Sequence, residues 1–167
     1  MTNIKILEET TALVFNTCNF TVSTIVFENE SLEYCACKFE INKLKAVFRA
    51  AKITPTKTGQ FVTLWKRNIN EPIQPFDATD SIDLVIINTK TEHHFGQFVF
   101  PKNVLIEKKV ITNNLKEGKR AIRVYPPWDL TKSNQAKKTQ NWQLNYFLEI
   151  PKNQPIDINR AKLLYLL

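Results

Sequence analysis

Residues Leu84 to Ile87 form an unbroken apolar run, Leu-Val-Ile-Ile, opened by Asp83 and followed by Asn88, Thr89 and Lys90. A half-exposed strand alternates apolar and polar side chains; this one does not. Both of its faces are therefore expected to be buried, which places it centrally in a sheet. Beyond the turn Thr91 to His94, the segment HFGQFVFPK reads as an antiparallel neighbour ending at Pro101, where the missing amide hydrogen stops pairing on that side. Upstream, Glu33 to Ile41 and Lys45 to Ile53 alternate over short spans about Asn42, Lys43 and Leu44, as in a hairpin. Pro55 and Gly59 bound a loop, and a strand follows from Gln60 to Arg67. The segment with Pro72 and Pro75 reads as an irregular connector, and a last strand from Arg120 to Tyr125 is stopped by Pro126 and Pro127.

Two helices flank this β-rich stretch. Ile4, Leu7, Val14, Phe15 and Cys18 recur at helical spacing over the first twenty residues. A second helix is expected from a cap at Ser133 or Asn134, carrying Thr139, Trp142, Tyr146 and Ile150 on one side until Pro151. The 167 residues suffice for one domain, residues 1–167, whose core needs neither disulfide nor structural metal. The expected fold class is α/β with an α+β tendency: a central mixed, mostly antiparallel sheet with an N-terminal and a late helix.

No apolar run approaches the roughly 18 to 20 residues of a membrane span. The N-terminus carries Glu8 and Glu9 where a signal peptide would be basic, so a cytoplasmic location without membrane association is expected. Cys18, Cys35 and Cys37 are too few and too odd in number for a disulfide framework. Cys35 and Cys37 share one face of a strand, where small thiols pack as core, and nothing completes a four-ligand zinc site around them. His93 and His94 are adjacent and read as part of a turn.

Charge is unevenly spread. Of the net +7, residues 1–48 contribute six acids against four lysines, and residues 49–167 contribute nineteen cations against ten acids. The stretch RAAKITPTKTGQFVTLWKR contains Arg49, Lys52, Lys57, Lys66 and Arg67 and no acid. Cations interleaved with threonines and Trp65 suit a phosphate backbone. Lys102 and Arg123 extend the cationic set, and Tyr125 and Trp128 join Trp65 as candidates to stack on unpaired bases. Oligonucleotide binding, single-stranded DNA or RNA in preference to duplex, is one reading. Core packing for Trp65 and internal ion pairs for Arg49 and Arg123 are the structural alternative. The tetrapeptide Gly59-Gln60-Phe61-Val62 recurs as Gly96-Gln97-Phe98-Val99; it is too short to imply duplication, and each copy is expected to send its glutamine outward.

The run Ala51 to Arg67, the pair Pro75-Phe76 ahead of Asp80 and Asp83, the segment Gly96 to Lys102, and the segments Arg123 to Trp128 and Thr139 to Gln143 together resemble the bacterial MepB family in order and composition, over roughly Glu33 to Phe147. The resemblance implies a fold similar to the restriction-endonuclease-like domains, whose enzymes hold a divalent cation between an Asp at the start of one core strand and an acid-x-Lys on the next. On that template Asp80 and Asp83 are the metal candidates, Gln97 stands in the acid's place, Val99 in that of the lysine, and Lys102 or Lys52 is left to supply the missing amine. Three functions follow as alternatives: a nucleic-acid-binding protein on a nuclease-like scaffold without catalysis, a divergent nuclease dependent on Mg²⁺, and a regulatory protein-interaction module. Mg²⁺ is implied only by the second, and oligomeric state is not encoded in any motif.

Overall fold

A computed structural model describes residues 2–166, with side chains from Ile4 onward. The strands are β1 (Val26–Phe27), β2 (Cys37–Ile41), β3 (Leu44–Ala50), β4 (Lys52–Thr54), β5 (Lys57–Thr63), β6 (Trp65–Lys66), β7 (Gln74–Pro75), β8 (Leu84–Lys90), β9 (Phe95–Pro101), β10 (Ala121–Val124) and β11 (Phe147–Glu149). The helices are α1 (Thr2–Thr10), which runs into a wider π-helical turn Thr11–Phe15, α2 (Lys102–Glu107), α3 (Asn134–Leu144) and α4 (Ile158–Leu164). The main sheet has the order β1-β2-β3-β8-β9-β11; a three-stranded sheet has the order β10-β5-β4, and β6 pairs with β7.

The apolar run sits where its pattern predicts. β8 pairs in parallel with β3 and antiparallel with β9, and Leu84 to Ile87 are all 0% exposed. Strand alternation divides the run between two cores. Leu84 and Ile86 join Phe15, Phe48 and Leu164 under α1 and α4, and Val85 and Ile87 join Val62, Leu64 and Val124 under the small sheet. The result is three layers: helices, main sheet, small sheet with α3. Only the β3–β8 pairing in the main sheet is parallel, so the sheet is mixed and mostly antiparallel. The β2–β3 hairpin turns through Asn42 and Lys43 at φ of 50° and 69°, the two-residue left-handed turn whose twist matches that of the strands.

Several elements depart from the sequence pattern. The strand expected over Glu33–Ile41 starts only at Cys37, because Leu32–Tyr34 form a 3-10 turn and Cys35 follows at φ of 50°, outside any strand. The strand expected over Lys45–Ile53 splits after Ala50 between the main and the small sheet. The strand expected over Gln60–Arg67 breaks at Leu64, and its two parts belong to different sheets. The late helix stops at Leu144 instead of running to Ile150, because Phe147 to Glu149 pair with β9 from Phe98 to Gly96. Gly96 allows that approach: a Cβ there would lie 2.2 Å from Phe147 Cζ and 2.9 Å from the Leu148 carbonyl oxygen. The helix α4, absent from the sequence reading, closes the first core with Ala161, Leu164 and Tyr165.

Candidate functional site

The turn from β4 to β5 and the strand β10 form one wall of an open cleft of about 430 Å³, and the first turns of α3 form the other. Lys57, Lys108, Lys119 and Arg123 line it together with Phe61, Tyr125 and Trp142, and among the described residues no carboxylate does. Strand register explains the wall. Arg123 lies opposite Phe61 in the β10–β5 pair and Lys52 opposite Phe61 in the β4–β5 pair, so these side chains share the face turned from the core.

Arg123 is held by oxygens that carry no formal charge. Its Nη1 donates to the Thr58 and Gly59 carbonyls at 3.4 and 3.2 Å, and its Nη2 donates to Thr54 Oγ1 at 2.8 Å. None of these partners is a carboxylate, and the guanidinium lies over the Phe61 ring at 5.8 Å. Lys57 and Lys119 make no side-chain hydrogen bond or ion pair among the described residues. Lys108 pairs with its neighbour Glu107 at 3.0 Å and lies 5.8 Å from the Trp142 ring.

Helix α3 sets the cleft's shape through two glutamines. Gln143, 1% exposed, accepts from the Tyr125 amide at 2.8 Å and donates to the Arg123 carbonyl at 3.0 Å, serving as a surrogate strand for the end of β10. Gln140 donates to the carbonyls of Pro126 and Asp129 and accepts from Thr131 Oγ1. Proline cannot continue the ladder, so this loop takes its order from α3. Ser133 Oγ caps the helix by accepting from the Ala136 amide at 3.1 Å, as its sequence position predicts. Tyr125 in turn packs on Gly59, whose φ is +82° and where a Cβ would lie 2.6 Å from Tyr125 Cε1.

The remaining candidate residues lie elsewhere. Arg49 is 0% exposed and belongs to the fold: its Nη1 lies 3.0 Å from Glu28 Oε1, and its Nη2 donates to Glu28 Oε2 at 3.0 Å. Strand β3 is covered on both faces and offers a cation there no solvent. Lys52 lies over the Tyr34 ring at 4.7 Å, and Arg67 pairs with Glu30 at 3.0 Å beside the half-buried Trp65. Trp128 stacks on His94 with centroids 4.9 Å apart and meets Phe147 edge-on. Cys35 and Cys37 are buried free thiols. The hydrogen bond between them draws Cys35 down and, with burial, pushes Cys37 well up.

Lys66 and Lys102 converge on Asp80. Lys66 Nζ pairs with Asp80 Oδ1 at 2.7 Å, Lys102 Nζ donates to the Asp80 carbonyl, and Asp80 Oδ2 accepts from the Asp77 amide at 2.7 Å. This cluster borders a separate cavity of about 610 Å³ with Lys38, Lys45 and Phe76. Asp83 ties β8 to β3 by accepting from the Lys45 amide at 2.8 Å.

Gln97 is not brought to the two aspartates. It lies opposite Asn88, five residues along β8 from Asp83, or about 17 Å at strand rise. Both glutamines of the repeated tetrapeptide are buried, not outward: Gln60 is 1% and Gln97 0% exposed. Gln97 donates to Asn88 Oδ1 at 3.0 Å and accepts from Tyr165 at 2.6 Å, and Asn88 donates to Thr10 Oγ1, forming a neutral polar chain inside the first core. Among the described residues, no group of three or more Asp, Glu, His or Cys side chains is disposed to hold a metal ion.

Lys108 and Lys119 were not singled out by sequence. They lie in segments without aromatic interleaving and reach the cleft only because α2 and the loop before β10 pack beside it. Gln140 and Gln143 carry no sequence signal for their role, since backbone clamping leaves no motif.

Together these features define a mixed α/β domain with an acid-free cationic cleft beside a fully packed central sheet. The MepB-like family model matches residues 28–149, and the chain belongs to that family. The crystal structure of MepB is similar, with a TM-score of 0.77 and 34% identity over 92% of this chain and 100% of that one. A bacterial homing endonuclease, I-Ssp6803I, is a more distant match at a TM-score of 0.41 and 13% identity, covering 84% of this chain and 82% of that one. No curated protein matches the chain. Among the described residues no helix is long and apolar enough to cross a membrane.

Proposed function

We propose that this protein binds single-stranded nucleic acid through the cleft between β10, the β4–β5 turn and α3, without cutting it. The observation that carries the reading is the composition of that cleft: Lys57, Lys108, Lys119 and Arg123 with Phe61, Tyr125 and Trp142, and no carboxylate. Four cations confined to one groove favour a polyanion by counterion release, and aromatic walls add sequence-tolerant stacking of about 1–3 kcal/mol per base. Duplex offers the same phosphates but keeps its base faces stacked away from the aromatic rings. The wide separation of Gln97 from Asp80 and Asp83 supports binding over metal-dependent cleavage, because a two-carboxylate metal site needs its ligands on one ion.

The test compares fluorescence anisotropy of labelled DNA and RNA octamers with the wild type and with Lys57→Ala/Lys119→Ala. Neither lysine has a side-chain partner among the described residues, so the pair of substitutions is expected to leave the fold intact and to weaken binding at least tenfold. Unchanged binding in the folded double variant removes the cleft as the site. Labelled strands shortened in the presence of Mg²⁺ or Mn²⁺, with loss of that activity in Asp83→Ala, would favour the nuclease alternative.

A further inference from the structure

Gln60 is buried in a way the cleft does not explain. It is 1% exposed, and neither its amide oxygen nor its amide nitrogen has a hydrogen-bond partner. Native proteins satisfy nearly all such groups, so an amide with both ends open points to a ligand. Register shows where the side chain lies. Gln60 pairs with Ile53 across the β4–β5 ladder and with buried Val124 across the β10–β5 ladder, so its side chain lies on the core-side face of the small sheet, at the edge where Ile53 emerges. Ile53, 62% exposed, and Gln60 line a further cavity of about 430 Å³ between the Thr54–Gly59 turn and the loop after Trp128.

Lys57, Asp129 and Lys132 also line this cavity, and Lys57 belongs to the cleft as well. A strand in the cleft can therefore turn one nucleotide around Lys57 without leaving its phosphate contact. Asp129 is fixed by the Gln140 bond to its carbonyl. Its carboxyl lies beside the Gly59 amide, which opposes the upward pressure of burial on its pKa.

We propose that this cavity receives one unpaired base of a bound strand and that Gln60 and Asp129 select a base bearing an amino group, adenine foremost. The inference rests on the nucleic-acid reading above. A glutamine amide presents an acceptor beside a donor, and adenine presents the complement: Gln60 Oε1 accepts from one N6–H while Nε2 donates to the adjacent ring nitrogen. The second N6–H is left for the Asp129 carboxylate. Thymine or uracil places a carbonyl oxygen there, facing the carboxylate with no hydrogen between them. Because the amide has no bonds to give up, turning it toward the base breaks none. The cavity falls within the usual range of small-ligand sites, roughly 300–1,000 Å³.

The experiment is anisotropy with labelled single-stranded octamers of deoxyadenylate and of thymidylate, on the full chain and on Gln60→Leu and Asp129→Asn. The wild type is expected to prefer the adenine octamer about tenfold. Gln60→Leu should erase that preference and leave thymine affinity unchanged, and Asp129→Asn should raise thymine affinity. Equal binding of both octamers by the wild type overturns the base pocket while the cleft stands. A preference surviving both substitutions also overturns it, and failure of both octamers to bind overturns pocket and cleft together. Should Gln60→Leu not fold, Asp129→Asn alone decides: no gain for thymine rejects the assignment.

Discussion

Arg49 separates what the sequence suggests from what the fold does with it. It belongs to the basic stretch, yet its side chain is 1% exposed and faces Glu28, itself 21% exposed, through contacts of 3.0 Å, with a further bond of 2.9 Å from Nη1 to the Phe48 carbonyl. Arg49→Met keeps most of the volume and removes the charge, leaving a partly buried carboxylate without its partner. Breaking a fully buried pair costs about 3–5 kcal/mol; the water that reaches Glu28 reduces this to about 2–3 kcal/mol. For a domain of this size that lowers the melting temperature by roughly 5–10 °C. Glu28→Leu should cost at least as much, because it strands the more deeply buried charge. The double variant Glu28→Leu/Arg49→Met should recover much of the loss, since apolar replacement of a buried pair is often near neutral. Urea unfolding of the four proteins, followed by circular dichroism, measures the cycle. Binding of an octamer below the transition should be the same for Arg49→Met as for the wild type. A cost under about 0.5 kcal/mol, or weakened binding at undiminished stability, would refute the structural role given to Arg49.

Tyr165→Phe removes the donor to buried Gln97 and should cost about 1–3 kcal/mol in urea unfolding, with oligonucleotide binding unchanged; a fall in binding would reinstate Gln97 as a site residue. Gly59→Ala meets both a positive φ of +82° and the Tyr125 ring at 2.6 Å, so it should destabilise by about 2 kcal/mol or more and weaken binding by displacing Tyr125. Burial raises the pKa of Asp129 above its ordinary value of 3.8. The folded state thus binds this proton more tightly than the unfolded one, and the ionised carboxyl costs stability above its folded pKa. Asp129→Asn should therefore be more stable than the wild type at pH 7, with an advantage that shrinks as pH falls through the raised value and vanishes below about 3.8; thermal melts across pH 3.5–7.5 follow the difference.

The core was legible where one signal sufficed. Leu84 to Ile87 announced a strand covered on both faces, and Pro101 and Pro126 marked the ends of their strands because a missing amide hydrogen acts locally. The late helix ends at Leu144, short of the Ile150 its pattern suggests, since Tyr146 to Ile150 suits either a helix face or an edge strand until Gly96 admits the second backbone. The site was legible only in part. Lys57, Arg123 and Tyr125 reach one cleft, whereas Lys66 and Arg67, in the same basic stretch as Lys57, are taken by Asp80 and Glu30. Charge along the chain shows which cations exist; tertiary pairing decides which remain available. Gln60 and Gln97 share a tetrapeptide and a buried environment, yet one is fully bonded to Asn88 and Tyr165 and the other is open at both ends. No local pattern distinguishes them.

The account stands most directly on the salt dependence of single-strand binding. The three cleft cations without a carboxylate partner, Lys57, Lys119 and Arg123, each displacing about 0.7 counterion from a single strand, predict a slope of about −2.1 for log affinity against log salt. Lys57→Ala should reduce its magnitude by about 0.7 and weaken binding to every sequence alike. A slope near zero, or one unchanged in Lys57→Ala, would contradict the assignment of this cleft to a phosphate backbone.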